Sequence, residues 1–379
     1  MKIIILILFI LLLAGGAGFF IYDFANPTTS LMPQNSTTPK LSGMTPPDSE
    51  LEVVVAQNLD TPWGIALLPD KSMLVTERRG TVRLINPDGQ LQETPVAQIA
   101  DVKEAGEGGL LGIAIHPDFE NNKFVYLYYT YSSNNNNTLN RVVRMTYKNG
   151  ALSNEETILD AIPGASNHNG GRIKFGPDGN LYVTTGDAEE PSVAQDKNSL
   201  AGKILRITPN GDAADGNPFN NRVYSYGHRN PQGIAWDTSG ALWSTEHGRS
   251  GFQSGLDEVN KIEAGSNYGW PDIEGSEAQV GMEAPKANST SSITWAPGGT
   301  AIIGDTLYFT GLRGQALYSA NLASNPLQIQ EHLKGKYGRI REVIASPEGL
   351  LYITTSNNDG RGTPLANDDQ IIQINPFKL

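Results

Sequence analysis

From residue 51 onward, short apolar runs alternate with turn residues, and one pattern recurs six times. Each copy is a small apolar strand, a Pro-Asp or Gly turn, and a second strand that mostly ends in Thr or Ser. The first copy reads Trp63-Gly64-Ile65-Ala66-Leu67-Leu68-Pro69-Asp70, then Met73-Leu74-Val75-Thr76. The others span residues 111–127, 173–184, 233–245, 301–310 and 343–354. A third strand follows each pair, at 81–85, 142–145, 203–207, 259–262, 316–319 and 371–374. The turns lie roughly 45 to 65 residues apart, the spacing of propeller blades. Pro-Asp-Gly turns preset φ and admit a positive-φ residue between strands. The expected fold is therefore all-β, a six-bladed β-propeller over residues 51–379. A β-sandwich does not repeat a multi-strand unit six times.

The N-terminus has a different pattern. Lys2 precedes an almost uncharged apolar run from Ile3 to Tyr22. Twenty helical residues span roughly 30 Å, the hydrocarbon thickness of a bilayer. Residues 1–22 are expected to be a signal anchor or a cleaved signal peptide, the small-residue patch Ala14–Gly18 offering a cleavage site. The only early basic residue precedes the run, so the body should lie outside the cytoplasm, periplasmic or at the cell surface. Residues 23–50 carry Pro27, Pro33, Pro39, Pro46 and Pro47 among Ser, Thr, Asn and Gly, and read as a linker.

Composition narrows the chemistry. Forty acidic residues against 28 basic ones give a net charge of −12, which argues against a nucleic-acid partner. The chain has no cysteine, which removes disulfides, thiolate catalysis and thiolate metal sites. Glycine is abundant, 41 of 379 residues, as a turn-rich fold requires.

In a propeller, chemistry resides in the loops that converge at one end of the central channel. Here these loops hold specific clusters before successive blades: Glu107-Gly108-Gly109-Leu110-Leu111, Asn167-His168-Asn169-Gly170-Gly171-Arg172, Arg229-Asn230-Pro231-Gln232-Gly233, Trp295-Ala296-Pro297 and Arg339-Ile340-Arg341. Glu246-His247-Gly248, Asp257-Glu258, Asn267-Tyr268-Gly269-Trp270 and Leu312-Arg313-Gly314 follow blades.

In these phrases and their order the sequence resembles the soluble PQQ-dependent sugar dehydrogenases, the glucose/sorbosone dehydrogenase family, and most its aldose sugar dehydrogenase branch. The resemblance covers about residues 55 to 377. It implies oxidation of aldose sugars at the anomeric carbon to lactones, with hydride passing to PQQ. It places the general base at His168, a role that suits an imidazole near neutral pH. Cofactor contacts are implied at Glu107, Arg229, Asn230, Trp295, Arg313, Arg339 and Arg341. Guanidinium groups grip carboxylates bidentately, which suits a tricarboxylate on an acidic protein. Trp295 would pack against the ring plane. Calcium is implied at Glu258 and Tyr268, with a further site around Gly248 and Arg249; hard cations take such oxygen ligands.

Glu107 departs from the family pattern, where glutamine is usual, and a carboxylate there would repel the cofactor unless protonated or bridged by a cation. Arg313 stands where lysine is common and keeps the charge. A second class of function is therefore weighed: a non-catalytic propeller binding carbohydrate or protein. Calcium-dependent lactone hydrolysis is a third, but needs a metal on the axis ringed by carboxylates and amides. The sugar, the electron acceptor, and the choice between monomer and homodimer are left open.

Overall fold

The computed structural model describes residues 48–379 apart from 252–253. The expected signal segment and most of the linker lie outside the described residues. Among the described residues no helix is long and apolar enough to cross a membrane.

The six repeats form six four-stranded antiparallel sheets. Blade 1 comprises Pro62–Leu67, Met73–Glu77, Thr81–Ile85 and Ala97–Gln98; blade 2 comprises Leu110–Ile115, Phe124–Ser132, Thr138–Lys148 and Ala151–Pro163. Blade 3 comprises Ile173–Phe175, Leu181–Thr185, Lys203–Ile207 and Val223–Tyr226; blade 4 comprises Pro231–Trp236, Leu242–Glu246, Glu258–Ile262 and Ala287–Asn288. Blade 5 comprises Pro297–Ile303, Thr306–Gly311, Ala316–Asn321 and Ile329–His332. Blade 6 takes Ile340–Ala345, Leu351–Thr355 and Ile371–Ile374 from the C-terminal repeat, and Glu52–Ala56 as its outermost strand. That strand pairs antiparallel with Ile371–Ile374, Val53 opposite Gln373. The first and last strands of the described residues thus meet in one sheet and close the ring, the expected six-bladed β-propeller. The three inner strands of each blade match the sequence pattern; the outer strands and the closure do not follow from it.

The second strands are apolar on both faces because each sheet is sandwiched between two others: Met73–Glu77 and Leu181–Thr185 are buried throughout. Apolar side chains from neighbouring blades merge, Leu74 and Val82 of blade 1 with Leu127 and Val143 of blade 2.

The recurrent Thr at the end of the second strand has a structural reason. Inner strands shift register near their first residues, as between Pro62 and Gly64, Pro231 and Gly233, and Ile340 and Glu342. At such a bulge an N–H loses its ladder partner. A threonine hydroxyl accepts it: Gly64 N to Thr76 Oγ1 (3.0 Å) and Glu342 N to Thr354 Oγ1 (3.2 Å); Thr184 Oγ1 likewise accepts Arg172 N (2.9 Å) just ahead of the regular inner strand of blade 3. These bulges occur where the inner strands leave the loops that carry the candidate site, so the bulge both aims those residues and is locally satisfied.

Candidate active site

The loops at this end of the ring enclose a cavity of about 560 Å³. Of the residues expected to act there, His168, Glu107, Arg229, Arg313, Arg339 and Arg341 line it, from five different blades or their approach loops. Sequence-distant positions converge because each inner strand starts near the axis.

His168 sits at φ +59°, followed by Gly170 at +63° and Gly171 at +104°. This left-handed run turns the imidazole toward the cavity. Its Nδ1 lies 2.7 Å from Asp187 Oδ1, and Asp187 Oδ2 accepts the Trp270 indole N–H at 2.8 Å. Asp187 is fully buried. An ionised carboxylate only accepts, so Nδ1 carries the proton and Nε2 keeps its lone pair. Gly186 packs so closely under this residue that a Cβ there would overlap the His168 carbonyl.

Asn230 is fully buried behind the wall rather than in it. Its Oδ1 accepts Gly170 N at 3.0 Å, which ties the base loop to blade 4, while its Nδ2 has no hydrogen-bond partner. Trp295 does not line the cavity, although its neighbours Thr294 and Ala296 do. Its ring is buried between blades, 5.2 Å from Phe309 and 5.7 Å from Tyr318. Its ring joins the apolar core that Phe309 and Tyr318 of blade 5 form. The expected stacking on a bound ring plane has no support in this placement.

Six guanidinium groups line the cavity (Arg229, Arg249, Arg313, Arg339, Arg341 and Arg361) against three carboxylates (Glu107, Glu189 and Asp257). Three of the arginines are ion-paired: Arg249 with Glu274, Arg339 with Asp359 (2.7 Å) and Arg361 with Glu107 (2.7 Å). Arg229, Arg313 and Arg341 have no carboxylate partner among the described residues. Arg341 donates to Gln232 Oε1 at 2.6 Å, Arg229 to Ser250 Oγ at 2.9 Å, and Arg313 to Ser254 Oγ at 2.7 Å. Burial pushes Arg341 down to about 9, Asp359 opposing, so it stays charged at neutral pH. The Nε atoms of Arg229 and Arg341 and the Nε2 of His247 are buried without partners. Burial also holds His247 down to about 4, so its ring is neutral. A concave site with surplus cations and unmet donors is built for a polyanion.

Asp257 precedes Glu258, the expected calcium ligand. It is buried and accepts from Gly248 N (2.9 Å), Thr294 Oγ1 (2.9 Å), Trp295 N (2.6 Å) and Ala296 N (3.0 Å), a knot that holds the wall together. Glu258, Tyr268 and Gly248 together line a second, small space of about 10 Å³, with Glu246 and Glu274. That is room for one ion or one water. Glu258 accepts from Asn260 Nδ2 and Gly275 N, and burial beside Glu246 pushes its carboxyl up to about 8. Among the described residues no group of three or more His, Cys, Asp or Glu side chains is arranged to hold a metal ion. A cation here would rest on Glu258 and backbone oxygens.

Below the cavity the axis is filled. Arg172 of blade 3 is ion-paired to Glu342 of blade 6, donates to the Gln232 carbonyl at 2.9 Å and lies 4.2 Å from the Trp63 ring centroid. Contact between opposite blades places this pair on the axis, where lactone hydrolysis would need its metal.

The geometry agrees with the comparisons. The glucose/sorbosone dehydrogenase profile matches residues 59–366. The chain belongs to the glucose/sorbosone dehydrogenase family. It is 30% identical over 339 residues to an aldose sugar dehydrogenase of Escherichia coli K12, covering 81% of this chain and 90% of that one. It is 33% identical over 255 residues to quinoprotein glucose dehydrogenase B of Acinetobacter calcoaceticus, covering 59% of this chain and 52% of that one. The PQQ-bound aldose sugar dehydrogenase of Streptomyces coelicolor superposes with a TM-score of 0.79 at 40% identity, covering 87% of this chain and 99% of that one. The chain is thus an oxidoreductase-family propeller whose relatives include quinoproteins.

Asp187, Gln232 and Arg361 complete the site and were not singled out in the sequence. Gln232 stands inside the Arg229–Gly233 cluster. Asp187 follows a Thr-Thr-Gly strand end, at the place in its blade that Gly248 takes after Glu246-His247 in blade 4. Arg361 lies in an Asn-Asp-Gly stretch that reads as a plain turn.

Proposed function

We propose that this protein oxidises aldose sugars at the anomeric carbon to lactones, using PQQ, with His168 as general base. The observation that carries this reading is the pairing of an oriented imidazole with three guanidinium groups free of carboxylates around one cavity. A bound quinone supplies a two-electron acceptor to this cavity. Arg229, Arg313 and Arg341 would hold its carboxylates, and His247 Nε2 offers a further contact from the wall. His168 Nε2 takes the proton of the anomeric hydroxyl as the C1 hydrogen leaves with its electron pair. Asp187 holds the imidazole and stabilises the charge it gains.

The same proposal includes a calcium ion bound by Glu258 with backbone oxygens near Tyr268 and Gly248. It also includes export, with the N-terminal segment as signal or anchor. A small sugar is the substrate class; the electron acceptor is not assigned.

The test is reconstitution with PQQ and Ca²⁺, followed by dye reduction with a panel of aldoses. Turnover is expected in the native chain, with a loss of roughly 10²–10⁴-fold in His168→Ala at unchanged quinone affinity. Quinone binding without dye reduction by any sugar would contradict the reading and favour a binding propeller.

A further inference from the structure

Glu107 is one of three carboxylates that line the cavity and oppose an anionic cofactor, and the structure shows what offsets it. Its Oε1 accepts from Arg361 Nη1 at 2.7 Å, and its Oε2 accepts the backbone N–H of His168 at 3.1 Å. Arg361 also donates through Nη2 to Asn167 Oδ1 at 3.0 Å. The arginine arrives from the loop after the second strand of blade 6, 254 residues along the chain from Glu107. One guanidinium therefore joins the last blade to the approach loops of blades 2 and 3. It does so on both flanks of the base, at Glu107 and at Asn167, the residue before His168.

Arg361 is anchored at its own base: its N–H donates to Asp359 Oδ1 at 2.9 Å, and Asp359 in turn holds Arg339. Its side chain is half exposed at 52%, whereas that of Glu107 is 17% exposed. The carboxylate is the buried partner and the arginine is the one solvent can reach. Removing the arginine leaves a charge inside the wall; removing the carboxylate leaves an arginine that water can solvate.

We propose that Arg361 is a positioning residue that neutralises Glu107, so that a carboxylate can stand in a polyanion cavity and brace the His168 backbone there. It rests on the reading of the cavity as a PQQ site. Arg361 touches neither the base nor the reacting carbon; it acts through Glu107 and Asn167. The two residues form a compensating pair: the arginine is needed because the carboxylate is present.

The experiment is a titration of PQQ into the Ca²⁺-containing apo-protein, read by absorbance and intrinsic fluorescence. It compares the native chain with Arg361→Ala, Arg361→Lys, Glu107→Gln, and the Glu107→Gln/Arg361→Ala double variant. Arg361→Ala should weaken PQQ binding roughly tenfold or more. Arg361→Lys should recover most of that loss. Glu107→Gln should bind at least as well as native. The double variant should return to the Glu107→Gln affinity, because no unpaired carboxylate remains. The Arg361→Ala defect should also shrink as pH falls and Glu107 protonates, a dependence that misfolding would not show. Native binding combined with an unaltered Kd in Arg361→Ala, or a double variant as weak as Arg361→Ala, overturns the pair. Failure of the native chain itself to bind PQQ overturns the cofactor reading instead.

Discussion

His168 Nδ1 stands 2.7 Å from Asp187 Oδ1, and the other oxygen of that carboxylate takes the Trp270 indole N–H at 2.8 Å. The base is thereby held from behind, in one tautomer, by a residue that no solvent reaches. Asp187→Asn keeps the shape but offers Nδ1 a choice of donor or acceptor. Turnover of the loaded enzyme should fall by roughly 10²-fold or more, with PQQ affinity unchanged. Equal turnover in the variant would mean that the carboxylate does not orient the base.

Gly186 supports the same residue sterically. A Cβ at this position meets the His168 carbonyl and Asn230 Oδ1, whereas one at Gly179, in the turn of the same blade, meets nothing within 4 Å. Gly186→Ala should cut kcat by about 10²-fold through displacement of the base loop. Gly179→Ala, strained only by its φ of +75°, should cost about 1 kcal/mol of stability and leave kcat alone. Matched kinetics in the two variants would refute the close-packing argument.

How far the sequence led is clear in these residues. The inner three strands of every blade were legible because their alternation and Pro-Asp-Gly turns answer to burial and turn geometry. Ala97–Gln98 and Ala287–Asn288 were not, since two residues carry no period. Ala151–Pro163 was not, since most of it faces solvent. Closure by Glu52–Ala56 depends on a partner more than 300 residues away, which no local pattern encodes. In the site, His168 and the arginines were legible as charged or titratable residues set in glycine-rich loops. Asp187 and Arg361 looked like turn residues, because what marks them is contact with other blades. Trp295 does not line the cavity although Thr294 and Ala296 do, a difference that no local pattern encodes.

Glu107 gives a pH signature. Burial alone would raise its carboxyl, but His247, Arg361 and the His168 N–H hold it down to about 2 from an ordinary 4.5. Arg361 is the partner that counts at neutral pH, where His247 is uncharged. A depressed carboxyl contributes stability above its unfolded pKa and loses it as pH falls through the folded value. Thermal melts between pH 6 and pH 2 should show native and Glu107→Gln converging below about pH 4.5. A gap constant with pH would remove the assignment.

The calcium part of the proposal is separable. Glu258 lines the small space with Tyr268 and Gly248, beside Glu246 and Glu274, and is the expected ligand. Calorimetric titration of Ca²⁺ into metal-stripped protein should find a site that Glu258→Gln abolishes or weakens by tenfold or more (about 1.4 kcal/mol). Identical isotherms would place any calcium elsewhere.

The central claim is that the cavity is a PQQ site gripped by arginines without carboxylate partners. Titration of PQQ into the purified native chain, alongside Arg341→Ala and Arg229→Ala, tests it most directly. One equivalent should bind to the native chain, with affinity reduced at least tenfold in each variant. Absence of saturable binding in the native chain, or equal affinity in all three proteins, would contradict it.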